Sequence, residues 1–151
     1  MTVAALEVCP SATVRTDEWL GQELAYVWSR YFPDTPRVNE VNIFFGRGWK
    51  TRLGFITSSV CGSRSYIGIN KLLRHPQVPD YVNTITIAHE LTHYSHGFGS
   101  PLPRKYQHPH KGGVVAKELV ARGLGPQLRH YLKWTNECWE PFDHAQRLRA
   151  R

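Results

Sequence analysis

Three residues within one pentapeptide have the types and the spacing of a zinc-hydrolase centre. His89, Glu90 and His93 form H-E-x-x-H inside the stretch I-A-H-E-L-T-H-Y-S-H-G, residues 87–97. On an α-helix, residues four apart lie one turn above each other on the same face, so the two imidazoles can share one zinc ion. Glu90 lies beside them, where it can reach a water molecule on the metal. The pattern is typical of hydrolases that use a glutamate-activated water.

The pentapeptide alone also fits a buried helix with two hydrogen-bonded histidines and a surface glutamate, because short motifs occur by chance. Its surroundings favour the metal, since apolar residues flank the motif: Ile85, Ile87, Ala88 and Leu91. They predict partly buried histidines, which need partners, and a metal ion supplies one. Gly97 and Gly99 follow and predict the end of the helix.

A catalytic zinc ion needs a third protein ligand and leaves its fourth position to water. Glu118, in the next predicted helix, would complete a set of two histidines and one glutamate. His108 and His110, in the loop before that helix, would each complete a set of three histidines. His96 is a further candidate, but it lies about 4.5 Å further along the helix than His93. Spacing alone leaves this choice open.

The remaining elements predict an α+β fold. Thr16 or Asp17 can cap an N-terminal helix that extends to about Phe32. Three short segments rich in β-formers predict a small antiparallel sheet, a meander of three strands: Val38–Phe45, Thr51–Thr57 and Ser65–Asn70. Asp80 is the expected N-cap of a central H-E-x-x-H helix, although its β-branched residues alone would also allow a strand. Further helices are predicted at Gly113–Arg122 and from Pro126 to about Trp134, and the segment after Glu140 has weak signals.

Positive charge dominates two long stretches of the 151-residue chain, whose formal net charge is +7. Residues 41–79 contain no acidic residue, and residues 101–133 contain only Glu118. Such one-sided charge favours a polyanionic partner, and DNA is the expected one. A generic basic surface that serves solubility is the alternative interpretation.

Length and composition predict one globular domain that crosses no membrane, because no segment approaches roughly 20 consecutive apolar residues. The first ten residues lack the features of a signal peptide. The three cysteines, Cys9, Cys61 and Cys138, are far apart and odd in number, which argues against a disulfide framework. A reducing, cytoplasmic location is therefore expected.

The motif and a later segment together resemble the SprT-like zinc metalloprotease domain, the Spartan-related family that includes a protease acting on proteins crosslinked to DNA. H-E-L-T-H, residues 89–93, is followed by P-H-K-G-G-V, residues 109–114, which is similar to the family's Pro-His-Gly-x-x-Phe turn. The resemblance implies that His110 is the third zinc ligand. Gly112 is displaced by one position from the family's glycine, and Val114 replaces its phenylalanine.

Two upstream segments extend the resemblance, which covers roughly residues 17–124. W-K-T-R-L-G, residues 49–54, is similar to the family's Thr-Arg-x-x-Gly strand, and Y-I-G-I-N-K-L-L, residues 66–73, to its strand with paired leucines. A zincin-like fold is implied. The expected organisation is a flexible lead-in (1–15), the metallopeptidase domain (16–134) and a C-terminal tail (135–151). Only Cys138 lies in that tail, so the family's four-cysteine zinc ribbon is not expected.

Together these features predict a metalloendopeptidase that uses one zinc ion and Glu90 to hydrolyse peptide bonds of DNA-associated proteins. The strand Tyr66–Asn70 is the predicted edge with which an extended substrate pairs. A nucleic-acid-binding protein with a purely structural metal is the first alternative, and a zinc hydrolase with a different substrate is the second. An open coordination position would favour an enzyme.

Overall fold

Residues 13–151 are described by this computed structural model, and they form an α+β fold with five α-helices and one three-stranded sheet. The predicted α+β class is confirmed. The helices are α1 (Asp17–Tyr31), α2 (Asp80–Ser95), α3 (Val114–Ala121), α4 (Gly125–Glu137) and α5 (Trp139–Arg149). The strands are β1 (Glu40–Phe45), β2 (Gly54–Ser58) and β3 (Arg64–Ile69). Most of the predicted lead-in, residues 1–12, lies outside the described residues.

The sheet is mixed, so the prediction of an antiparallel meander is wrong. The strand order is β1-β3-β2, with β1 parallel and β2 antiparallel to β3. Consecutive residues of β3 are buried, Ile67, Gly68 and Ile69, and a strand covered on both faces belongs at the centre of a sheet. The loop that joins β1 to β2 therefore passes the end of β3, which lies between these two strands. The buried Asn70 side chain stabilises this loop by donating hydrogen bonds to the carbonyls of Trp49 (2.7 Å) and Arg52 (2.9 Å).

Because β3 is the central strand, the predicted pairing of a substrate with Tyr66–Asn70 is also wrong. Both edges of β3 already bond to other strands. The strand β2 lies at an edge of the sheet, so one of its sides pairs with no other strand.

Helix α2 contains the H-E-L-T-H residues and packs against α1, α3, α4 and the strands β2 and β3. Its β-branched residues Val82, Ile85 and Ile87 are buried in the core, so tertiary packing outweighs their weak helix propensity. Pro79, and not the predicted Asp80, is the N-cap, and Asp80 instead forms an ion pair with Arg15. The helix ends before Gly97, whose φ of +81° and close approach to Pro103 leave no room for a Cβ.

Helix α4 ends at Glu137 instead of near Trp134, and the segment after Glu140, whose sequence signals are weak, forms most of α5. Aromatic contacts attach it to the rest of the chain, with Trp134, Trp139 and Phe142 packed against each other. Within residues 13–151, no helix combines the length and the apolar character that a membrane crossing requires.

Candidate metal centre

Three histidine side chains from two segments meet at one point, and we call them the histidine triad. The Nε2 atoms of His89 and His93 are 3.0 Å apart, and that of His110 lies 2.9 Å from His93 and 3.3 Å from His89. The first two rings project from successive turns of α2, as their spacing predicts. Among the described residues, these three form the one group of histidine, cysteine and acidic side chains placed to hold a metal ion.

Hydrogen bonding within the triad cannot satisfy all three nitrogens. A neutral imidazole has one N–H donor and one acceptor nitrogen. Among three Nε2 atoms, at least two must therefore have the same role, donor or acceptor, and these two cannot hydrogen-bond to each other. Burial, reinforced by the neighbouring imidazoles, lowers the pKa of His89 to about 4 and that of His93 to about 3. Both rings are then neutral near pH 7, with lone pairs available to a metal ion.

The third histidine comes from the loop that precedes α3. His110 lies directly before a short 3₁₀ turn, Lys111–Gly113, which leads into that helix. Its side chain is exposed at the mouth of the site, whereas His93 is buried. His108, two residues earlier, is exposed and is not part of the histidine triad. The geometry thus selects His110 from the two loop candidates.

His96 and Glu118, the other two candidates, lie together in a separate cluster. The Nε2 atom of His96 is 3.7 Å from Oε1 of Glu118. Arg122 donates a hydrogen bond to the same oxygen (3.2 Å) and pairs with both carboxylate oxygens of Asp34. We call these four residues the His96 network. Neither His96 nor Glu118 belongs to the histidine triad.

Glu90 is almost fully buried beside the triad, with 4% of its surface exposed. Burial raises the pKa of its carboxyl group to about 8, and the positive charge of Arg52 opposes that shift. Strand β2 approaches closely here, because a Cβ on Gly54 would lie 3.2 Å from Oε1 of Glu90 and 2.8 Å from a methyl carbon of Thr86. A glycine at this position therefore sets the distance between β2 and α2.

The triad and Glu90 line an open cleft of about 240 Å³ between α2 and β2. Its other walls come from β2, from the loop before it and from the segments on either side of His110: Arg52, Gly54, Phe55, Ile56, Phe98 and Pro109. An ion held by the triad would thus be accessible to a substrate as well as to water.

Backbone groups of β2 face this cleft. The Asn70 N–H bonds to the Leu53 carbonyl (2.8 Å) and the Ser59 N–H to the Arg64 carbonyl (2.9 Å), which marks the two ends of the β2–β3 ladder. Residues that bond to the partner alternate along an antiparallel strand. Gly54 and Ile56 therefore direct their N–H and C=O groups away from β3.

The sequence did not indicate that Arg52, Gly54 and Phe98 lie in the cleft wall, where the structure places them. Arg52 was counted only among the basic residues of the acid-free stretch, and with Gly54 in the T-R-L-G segment that carries the resemblance. Phe98 follows the helix end and contacts His93 edge-to-face. Its position depends on the turn at Gly97, which periodicity does not predict.

The chain was compared with protein-family models, with curated proteins and with solved structures, and none of the three comparisons found a match.

Proposed function

We propose that this protein is a zinc metalloendopeptidase with a zincin-like fold, related to the SprT-like domains that its sequence resembles. The observation that supports this most is the convergence of three Nε2 atoms, 2.9–3.3 Å apart, in an open cleft that also contains a buried glutamate. In a tetrahedral site with Zn–N bonds of 2.0–2.1 Å, ligand nitrogens are separated by about 3.3 Å. The donor set and its spacing therefore fit zinc.

His89, His93 and His110 would hold the ion, with a fourth position open to the cleft. When bound, zinc makes a water molecule more acidic and polarises a carbonyl oxygen. Glu90 supplies the acid–base function, since its Oε1 can accept a proton from the attacking water and return it to the leaving amine. A cation close by favours the carboxylate form, so occupation of the triad prepares Glu90 to act as the base.

The substrate would bind as an extended strand along the outer edge of β2. Gly54 and Ile56 direct their backbone groups into the cleft, where a peptide can add to the sheet. Gly54 also lies against Glu90, because a Cβ added there would be 3.2 Å from Oε1 of that residue. Pairing there would bring a substrate peptide group to the acid–base residue.

DNA is the proposed partner, in a reducing intracellular setting. Five exposed basic side chains of the acid-free stretch lie outside the cleft and are free of a role in the triad: Arg47, Lys50, Arg64, Lys71 and Arg74. Binding to phosphates through these groups should weaken steeply as salt is raised. An affinity for duplex or single-stranded DNA that is unaffected between low and physiological salt would remove this part of the proposal.

The test of the peptidase proposal is Glu90→Gln in the zinc-loaded protein. The amide cannot accept the water proton, so we expect casein cleavage to fall by at least about 100-fold while the zinc content stays at one ion per chain. Chelation should abolish cleavage by the unmodified protein, and zinc should restore it. Full activity of the Glu90→Gln protein would show that Glu90 is not the base, and stoichiometric zinc without hydrolysis would favour a structural metal.

A further inference from the structure

Arg52 is a cation at the wall of the cleft with no acidic partner in the described part of the chain. Its side chain is exposed, lines the cleft together with the triad, and lies close enough to Glu90 to act on its charge. The guanidinium carbon is 6.0 Å from the centre of the Phe55 ring, another wall residue. By contrast, Arg15, Arg64, Arg122 and Arg147 all form ion pairs.

The loop that carries Arg52, residues 46–53, has no regular secondary structure but is held by side chains. Asn70 donates hydrogen bonds to the Trp49 and Arg52 carbonyls. From α5, Trp139 Nε1–H donates to the Lys50 carbonyl (2.8 Å) and Arg147 to the Gly48 carbonyl (2.8 Å). Four carbonyls of one short loop thus have fixed donors. Arg52 is therefore presented from a stable backbone, which reduces the entropy lost when it binds a ligand.

The charge of the cleft is one-sided. Glu90 is the single carboxyl group among its lining residues, and it is buried. A second arginine, Arg104, lies over the Phe98 ring on the wall, with 4.8 Å between its guanidinium carbon and the ring centre. An unpaired guanidinium in such surroundings favours an anionic group that it can bind with two parallel hydrogen bonds, and in a peptide substrate that group is the carboxylate of Asp or Glu.

We infer, on the premise of the proposed peptidase function, that Arg52 determines specificity by binding a substrate carboxylate. Arg52 precedes Gly54 by two residues, which corresponds to roughly 7 Å along an extended chain. A peptide paired with β2 would therefore place the selected Asp or Glu within about two residues of the scissile bond. Arg52 responds to the charge at that position and not to the net charge of the substrate.

The experiment measures peptide affinity separately from cleavage. The zinc-loaded Glu90→Gln protein is titrated with short peptides whose residues are all uncharged except at one position, which is Asp, Asn or Lys. That position is moved along the peptide from one series to the next. At the best position we expect Asp to bind about five- to thirtyfold more tightly than Asn. Adding Arg52→Gln should bring this ratio close to one, and adding Arg52→Glu should make the Lys peptide the tightest.

Arg47→Gln is the matched control, because Arg47 is an exposed arginine of the same loop but does not line the cleft. It should leave the Asp-to-Asn ratio as it is. Equal affinity for Asp and Asn peptides at every position, or a preference that survives Arg52→Gln, would overturn the inference.

Cleavage of the same peptides by the protein with Glu90 intact separates the two proposals. Charge-selective binding without cleavage would support the role of Arg52 as a carboxylate-binding residue and reject the peptidase. Cleavage with no charge preference in kcat/KM would support the peptidase and reject the role of Arg52.

Discussion

Two polar clusters lie near the C-terminal end of α2, and both contain histidine, yet they differ in how their charges are balanced. In the histidine triad, three ring nitrogens lie within 3.3 Å of each other, and no lysine, arginine or carboxylate of residues 13–151 is hydrogen-bonded to them. In the His96 network, every full charge has a partner, since Arg122 bonds to both Asp34 and Glu118. The first arrangement offers its lone pairs to an external cation. In the second, the charges of Arg122, Asp34 and Glu118 already balance one another, although the buried ring nitrogens of His96 make no hydrogen bond.

The difference shows why the presence of donor residue types does not define a metal site. Glu118 has the chemistry of a zinc ligand, but its Oε1 accepts a hydrogen bond from Arg122, whose positive charge would repel a metal ion. No arginine among the described residues hydrogen-bonds to a triad nitrogen, and burial lowers the pKa of His89 and of His93, which keeps these two imidazoles neutral. Changing one cluster and measuring both metal binding and stability therefore tests the contrast between the histidine triad and the His96 network.

The largest expected effect is stabilisation of the whole protein by zinc through the triad. A ligand that binds only the folded state at a free concentration 1,000 times its Kd adds about 4 kcal/mol to the free energy of unfolding. For a domain of this size, Tm should rise by roughly 8–16 °C. Differential scanning calorimetry with zinc and with chelator measures the shift. His93→Ala should abolish it, and a zinc-independent Tm in the unmodified protein would contradict the metal site.

The next effect distinguishes the two loop histidines. His110→Ala removes one of three ligands, so zinc affinity should fall by at least about 100-fold in competition with a chromogenic chelator. His108→Ala is the matched control, because that side chain is exposed and lies outside the triad. Its zinc affinity should match that of the unmodified protein. If His108→Ala lost zinc affinity and His110→Ala did not, His108 would be the third zinc ligand.

The sequence predicted the triad better than the sheet, for a physical reason. Residues four apart on a helix must share a face, so His89 and His93 follow from local geometry alone. Strand pairing depends on long-range burial, which short β-rich segments do not reveal. The position of β3 at the centre of the sheet required knowing that both of its faces are covered. The meander and the substrate-pairing strand derived from it were therefore wrong.

The choice of His110 and the role of the cleft wall depended on contacts that local patterns do not specify. Spacing disfavoured His96 and left Glu118, His108 and His110 open, and the resemblance implied His110. The path of the chain after α2 brings His110 to His89 and His93. Arg52 is placed by hydrogen bonds from Asn70 and from α5, a helix that the sequence signalled weakly. Helix α5 forms because its aromatic residues pack against α4, which is a tertiary effect.

A smaller effect is expected from the His96 network, and it should appear in stability alone. Arg122→Met keeps an apolar stem against Phe32 but removes the hydrogen bonds to Asp34, Glu118 and the Tyr31 carbonyl. We expect the free energy of unfolding to fall by about 1–3 kcal/mol in urea denaturation. Zinc affinity should change by less than about twofold, since the triad is separate. A large loss of zinc binding would show that the two clusters are coupled.

The smallest effect concerns the pH dependence of the same network. The hydrogen bond from Arg122 lowers the pKa of Asp34 below its ordinary value of 3.8 in the folded state. A carboxyl whose pKa is lower when folded stabilises the protein above the unfolded value, and this stabilisation disappears as the pH falls through the folded value. The Asp34 side chain is 68% exposed, so solvent screening limits the contribution to less than about 1 kcal/mol.

Asp34→Asn isolates that contribution, because the amide cannot ionise. In metal-free protein, the stability difference between the unmodified chain and this variant should be constant above about pH 5 and shrink as the pH falls below about 4. Urea denaturation at a series of pH values measures it, and metal-free conditions remove the contribution of zinc release from the triad. A difference that grows on acidification would mean that the Asp34 carboxylate is not stabilised by Arg122, and the His96 network would then lack the charge balance that separates it from the triad.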